Sequence, residues 1–179
     1  MSDAYAFASI NLIRENIFTA VKNGKDKKAR FAMANASMMA GTAFSNSMVG
    51  AVHAIGHACG AVAHVHHGTA MAILLPYVMK YNLDELEEVY AKLLLPLAGD
   101  ELFASTPKGE RARKSIETIL LMNHKLNKLC NMPVKLSNAG VKKENFNKIA
   151  ELALNDGAML PNPKSLEIKD ILNILEEAF

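Results

Sequence analysis

The sequence predicts an all-α protein, a multi-helix, bundle-like domain that spans residues 1–179. Three observations lead to this fold class. Apolar residues recur at spacings of three and four along most of the chain, and alternating β-branched runs are nearly absent. Hydrophobic residues make up 50% of the sequence, which suits one globular domain with a sizeable core.

The periodicity predicts eight helices separated by short loops. Asn23 and Gly24 end the first helix, and Asp26 is a suitable N-cap for the second. We expect His66, His67 and Gly68 to form the exit loop of the third helix. The predicted helices begin near Ser2, Asp26, Gly50, Thr69, Asp84, Lys108, Lys143 and Ile168, and residues 132–141 and 156–164 are predicted loops.

Charge and composition argue against several functions. The formal net charge is +2, so no face has to be basic enough to bind nucleic acid or an anionic membrane. The longest apolar run, from Ala70 to Val78, is too short to cross a bilayer. The two cysteines form no CxxC motif, and we expect a reducing, cytoplasmic location. No GxGxxG, phosphate-binding loop or βαβ pattern occurs, so we expect no nucleotide-binding domain in this chain.

The strongest chemical signal is a cluster of histidines, because five of the six fall between His53 and His67. His53 and His57 are four residues apart and therefore share one face of a helix. Imidazole is a ligand for iron, zinc, copper or nickel. A lone histidine is more often an ordinary core or surface residue, but five within fifteen positions favour a metal site.

The cluster lacks a nearby acidic partner, since no Asp or Glu lies between Asp26 and Asp84. Catalytic metal sites commonly use three or four protein ligands, often including a carboxylate. We therefore expect any carboxylate to come from a distant helix or from another chain. Neither the Glu-x-x-His pairs of di-iron bundles nor the HExxH motif of zinc proteases is present.

The segment GAVHAIGHACGAVAHVHHGTAMAILLPYVMKYN, which begins at Gly50, resembles the signature of the iron-containing, group III alcohol dehydrogenases. The resemblance continues over the rest of the chain, from DAYAFASINLIRENI to DGAMLPNP. It implies the helical C-terminal domain of the dehydroquinate synthase-like and iron-containing alcohol dehydrogenase fold. In that family a separate N-terminal domain binds NAD(P). For this protein, the resemblance implies that such a domain is supplied by a longer chain or by a partner chain.

The resemblance also implies roles for individual residues. By position, His53 and His67 match metal ligands, whereas His57 matches a histidine beside the metal that serves in proton transfer. Phe44 and Ala158 match residues that line the substrate pocket. Helical spacing alone would instead pair His53 with His57 as ligands. His64 and His66 match no ligand position.

Two further ligands of the family, an Asp and a His in an Asp-x-x-x-His helix, lie upstream of the position that matches Asp3. The resemblance therefore implies half a ligand set in this chain, which would bind Fe(2+) or Zn(2+) weakly. The expected substrate is a small alcohol or aldehyde. Zinc-using relatives such as glycerol dehydrogenase share a similar scaffold.

Two interpretations remain open at the level of sequence. The chain is either the metal-binding domain of an alcohol dehydrogenase, inactive when isolated, or a non-catalytic helical metal-binding or interaction module that keeps the family fold. In both cases an apolar surface around the histidine helix would favour a homo-oligomer or a partner chain with the nucleotide-binding half.

Overall fold

The computed structural model describes residues 2–179 and confirms the all-α fold class, because no β-strand occurs among these residues. Four short 3-10 turns cover 108–110, 137–139, 143–145 and 157–159. The helices within the described residues are α1 (Ser2–Lys22), α2 (Lys27–Ser47), α3 (Ala51–Ala63), α4 (His67–Tyr81), α5 (Leu83–Ala98), α6 (Asp100–Ser105), α7 (Arg111–Cys130), α8 (Phe146–Leu154) and α9 (Ile168–Glu177).

Helix starts follow the predicted signals in most places. The predicted N-cap of α2 is confirmed, since the Asp26 carboxylate accepts a hydrogen bond of 2.9 Å from the backbone N–H of Ala29. This contact satisfies one of the donors left free in the first turn of a helix. Gly50 is the N-cap of α3, also as expected.

Two details of the helix prediction are wrong. Thr69 does not cap the fourth helix, because His66 occupies the N-cap position and α4 begins at His67. The predicted exit loop is therefore mostly helix. A ninth helix, α6, was also not predicted. It follows Gly99, whose φ of 86° favours glycine, and Asp100 in its first turn suits the positive end of the helix dipole.

The described residues pack as two compact units, and the first comprises residues up to 48 together with residues 87–130. In this unit α1 and α2 form a helical hairpin. The buried Ser9 hydroxyl donates a hydrogen bond of 2.8 Å to the carbonyl of Ala36 across the hairpin. Ser115 of α7 similarly donates to the Tyr90 carbonyl of α5 at 2.8 Å. Both hydroxyls are buried and satisfied.

The second unit, residues 49–86 and 131–179, contains the histidine cluster. Helices α3, α4, α8 and α9 surround its apolar core. At the centre are large side chains that are almost fully buried, namely Ile55, Ile73, Leu74, Leu136, Ile149, Ile171 and Leu175. Burial of each such side chain contributes about 1.5–3 kcal/mol, so this core holds α3 in a fixed position. The prediction of a single domain over residues 1–179 stays a prediction.

The chain passes from one unit to the other at three places, and the backbone is irregular at each. Met48 and Asn131 have positive φ angles of 66° and 57°. Leu86, inside α5, has φ −122° and ψ 18°, which interrupts the helical path. Within residues 2–179, no helix is both long and apolar enough to cross a membrane.

The two cysteines lie in different environments, and we predict that their reactivity differs accordingly. Cys59 of α3 is fully buried, and burial raises the pKa of its thiol to about 12, whereas Cys130 is exposed. Because the thiolate is the nucleophile, a disulfide reagent at pH 8 should modify one thiol in the native chain and two after unfolding. In the native state, the C130S variant should show no modified thiol. Equal reaction rates of both thiols in the folded chain would contradict this packing.

Candidate metal centre

A tight reversal between α3 and α4 brings the C-terminal histidines of the cluster back towards α3. The helix ends where His64 adopts the left-handed conformation with φ 54°, and its backbone N–H donates to the Gly60 carbonyl at 3.0 Å. Val65 is then buried, His66 caps the next helix, and α4 begins at His67. Only three residues separate the two helices. This short connection forces the first turn of α4 to lie beside α3.

Three imidazoles meet as a result. The ring centroids of His53 and His57 lie 5.8 Å apart, those of His53 and His67 5.6 Å, and those of His57 and His67 5.5 Å. The predicted same-face arrangement of His53 and His57 is therefore observed. These near-equal spacings do not by themselves distinguish ligands from a neighbouring histidine.

Gly56 permits the close approach of the two helices. A Cβ atom at this position would lie 1.9 Å from the terminal methyl carbon of Met71 on α4, so any side chain would displace Met71. Met71 also lines an apolar hollow of about 430 Å³ beside His53. The remaining walls of this hollow are Val49, Gly50, Val52, Ala72 and Leu75. Such apolar surroundings disfavour the charged form of the His53 imidazole.

His57 has a partner that the sequence did not reveal. Its Nδ1 atom lies 2.8 Å from Oδ2 of Asp156, in the loop that follows α8. The other carboxylate oxygen accepts the backbone N–H of Ala158 at 2.8 Å. Asp156 is 99 residues from His57, so no local spacing rule could have paired them. Two signals pointed to it. The absence of a nearby acidic residue predicted a distant carboxylate, and Asp156 lies two residues before Ala158 in the DGAMLPNP segment.

The charge states of the cluster follow from burial and proximity. Burial is the main cause that lowers the pKa of His53, and the neighbouring His67 and His57 lower it further, while Asp156 acts in the opposite direction. The pKa of Asp156 is itself held below its usual range, chiefly by the Ala158 N–H and also by His57. At neutral pH His53 is therefore neutral and Asp156 is an anion, as metal ligation and hydrogen bonding respectively require.

The donor types fit a divalent transition metal, but their number is incomplete. Imidazole nitrogens suit iron and zinc, and His53 and His67 come from two firmly packed helices. Among residues 2–179, however, no group of three or more His, Cys, Asp or Glu side chains is arranged to hold an ion. The described residues thus provide imidazoles of a suitable type for such an ion, but no group of three ligands.

The other predicted residues lie at helix ends, in the loop after α8 and on α2. His64 and His66 form the ends of α3 and α4, and neither ring makes a contact with the His53, His57 and His67 group in the described part of the chain. Ala158 lies in the loop with Asp156 in the second unit. Phe44 belongs to α2 of the first unit, and about half of it is exposed.

Comparison with known proteins gives one consistent result. The sequence profile described as "Fe-containing alcohol dehydrogenase family, C-terminal" matches residues 1–179. Alcohol dehydrogenase 4 of Saccharomyces cerevisiae is 36% identical over 179 residues, which is all of this chain and 44% of the yeast protein. The 1,3-propanediol dehydrogenase of Citrobacter freundii is also 36% identical, over all of this chain and 45% of its own length.

Solved structures agree with these relatives. A crystal structure of 1,3-propanediol oxidoreductase matches 99% of this chain with a TM-score of 0.90 and 35% identity, and 45% of that protein is covered. An alcohol dehydrogenase from Oenococcus oeni gives a TM-score of 0.89 at 34% identity, with the same coverage. The chain spans less than half the length of these relatives. It belongs to the Fe-containing alcohol dehydrogenase family, and all of its residues, 1–179, match the profile of the C-terminal region.

Proposed function

We propose that this chain supplies the two-histidine part of the metal site in an NAD(P)-dependent alcohol dehydrogenase. The observation that carries this proposal is the meeting of His53 and His67, with ring centroids 5.6 Å apart, on the two helices joined by the tight reversal. The proposed ion is Fe(2+), or Zn(2+), and the remaining ligands come from outside residues 2–179. Relatives named as 1,3-propanediol, methanol and butanol dehydrogenases support a small alcohol or aldehyde as substrate.

The proposed reaction transfers a hydride between the alcohol carbon and the nicotinamide of NAD(P). A bound divalent ion would act as a Lewis acid on the substrate oxygen. The protein's contribution is to hold the reacting groups in position and to move the hydroxyl proton. Following the family resemblance, we assign ligation to His53 and His67, and proton transfer to His57, which lies next to both proposed ligands. Ala158, in the same loop as Asp156, is proposed to line the substrate pocket, and the pocket role of Phe44 stays a prediction.

The nucleotide-binding half is a required partner in this proposal. It would reside in a longer polypeptide or in a partner chain, because the relatives extend well beyond the matched region. A homo-oligomer is also proposed. NAD(P) would be bound by the nucleotide-binding half, and the reaction would take place in the cytoplasm.

Reconstitution tests the proposed function. The chain is mixed with Fe(2+) and with the part of the Citrobacter freundii 1,3-propanediol dehydrogenase that precedes the matched region, and NAD reduction is followed with small primary alcohols. We expect turnover only in the mixture, and loss of turnover to background in the H53Q and H67Q variants because each removes a ligand.

The matched control is H66Q, since His66 lies in the same turn but contributes no ring to the cluster. It should retain the activity of the unmodified mixture. Absence of turnover in a mixture that forms a stable complex would contradict the dehydrogenase proposal and favour a non-catalytic metal-binding or interaction module.

The lowered pKa of His53 predicts how the stability of the metal-free chain depends on pH. Unfolded His53 takes up a proton near the ordinary histidine pKa of about 6.5, whereas folded His53 resists protonation until the pH is lower. The free energy of unfolding should therefore fall as the pH drops below about 6.5 and level off below the folded pKa.

Urea unfolding at pH 7.5, 6.5 and 5.5 measures this effect. The H53Q variant should lose that part of the pH dependence, while H66Q should keep it. If the free energy of unfolding depended on pH equally in H53Q and in the unmodified chain, His53 would not be the group responsible.

A further inference from the structure

The Asp156 carboxylate is fixed from two sides. Its Oδ1 atom accepts the Ala158 N–H and its Oδ2 atom faces Nδ1 of His57, each at 2.8 Å. A carboxylate engaged through both oxygens cannot rotate without losing one of these contacts. The position of Oδ2 beside the imidazole is therefore determined by the backbone of the loop and not by a flexible side chain.

The same loop is anchored again at its other end, six residues later. The Oδ1 atom of Asn162 accepts the backbone N–H of Ala51, the first residue of α3, at 3.1 Å. Asn162 and Asn82 also exchange two amide hydrogen bonds of 3.0 and 3.1 Å. The loop is thus attached to α3 at two points. Asn162 contacts the first residue of the helix, and Asp156 contacts His57, six residues further along α3. Such support from surrounding residues preorganises a functional side chain.

The contact restricts where His57 carries its proton. An ionised carboxylate offers only acceptors, so a 2.8 Å contact with Nδ1 requires that Nδ1 bears the hydrogen. In the neutral imidazole, Nε2 is then left with its lone pair. Hydrogen bonding of one ring nitrogen in this way sets the tautomer and orientation of a histidine.

We propose that Asp156 is a positioning residue that holds His57 in the Nδ1–H tautomer and leaves Nε2 as the acceptor of the ring. In this arrangement His57 offers a single lone pair, at Nε2, which serves as the proton acceptor in the proposed reaction. When hydride leaves the alcohol carbon for NAD(P), the hydroxyl proton passes to Nε2, and Asp156 stabilises the resulting imidazolium. The effect on turnover rests on the proposed function, whereas the tautomer is a property of this chain alone.

Nitrogen-15 NMR of the histidine-labelled chain tests the tautomer directly. Spectra are recorded at pH 8.5, about two units above the ordinary histidine pKa, where imidazoles are neutral. We expect His57 to be in the Nδ1–H form. The D156A variant should shift it to the Nε2–H form, and D156N should keep part of the original form because an amide oxygen can still accept the hydrogen bond.

The control is N155A, because Asn155 is adjacent to Asp156 and exposed, and its side chain bonds only to the Glu151 carbonyl of the preceding helix among the contacts of the described chain. It should leave the His57 tautomer unchanged, and circular dichroism of every variant verifies that the helices are intact. An Nε2–H form of His57 in the unmodified chain, or an unchanged tautomer in D156A, would overturn the proposal.

A second measurement uses the chain reconstituted with the nucleotide-binding half. Loss of a residue that orients a functional histidine typically costs about 10- to 100-fold, so D156A should lower kcat by that factor with little change in KM. D156N should recover part of the loss. Wild-type kcat in D156A would overturn the positioning role. If the unmodified mixture is inactive, the proposed function fails, and the NMR result still decides the tautomer.

Discussion

The arrangement of the metal centre depends on the three-residue reversal between α3 and α4. His64 adopts the left-handed conformation there, which costs a residue other than glycine about 1–2 kcal/mol. The burial of Val65 and the contact of Met71 with Gly56 help to offset that cost, because they hold the two helices in close contact. Without this turn, His67 would not lie within reach of His53.

A second constraint comes from the distant end of the chain. The loop from Asp156 to Asn162 contacts α3 at two levels, so the histidine helix is held by residues about a hundred positions away. The three imidazoles are nearly equivalent in spacing, but only His57 contacts Asp156. This contact distinguishes the surroundings of His57 from those of His53 and His67.

The parts of the structure that depend on short-range interactions could be predicted from the sequence. Amphipathic periodicity predicted the helices because each must bury one apolar face, and the i, i+4 spacing predicted that His53 and His57 share a face. The predicted start of α4 was wrong. Thr69 is a better intrinsic N-cap than His66, but the tight reversal overrides that preference. The partnership with Asp156 depends on the packing of α8 and its loop against α3, which no spacing within the histidine motif encodes.

The central claim is that His53 and His67 together bind one divalent ion while His57, held in the Nδ1–H form by Asp156, keeps Nε2 for proton transfer. The most direct test is a zinc titration of the histidine-labelled chain, with each imidazole followed by nitrogen-15 NMR. The account predicts that the ring nitrogens of His53 and His67 shift together at the same zinc concentration, and that Nε2 of His57 does not shift. Coordination of zinc by the His53 and His57 pair, with His67 unchanged, would contradict it.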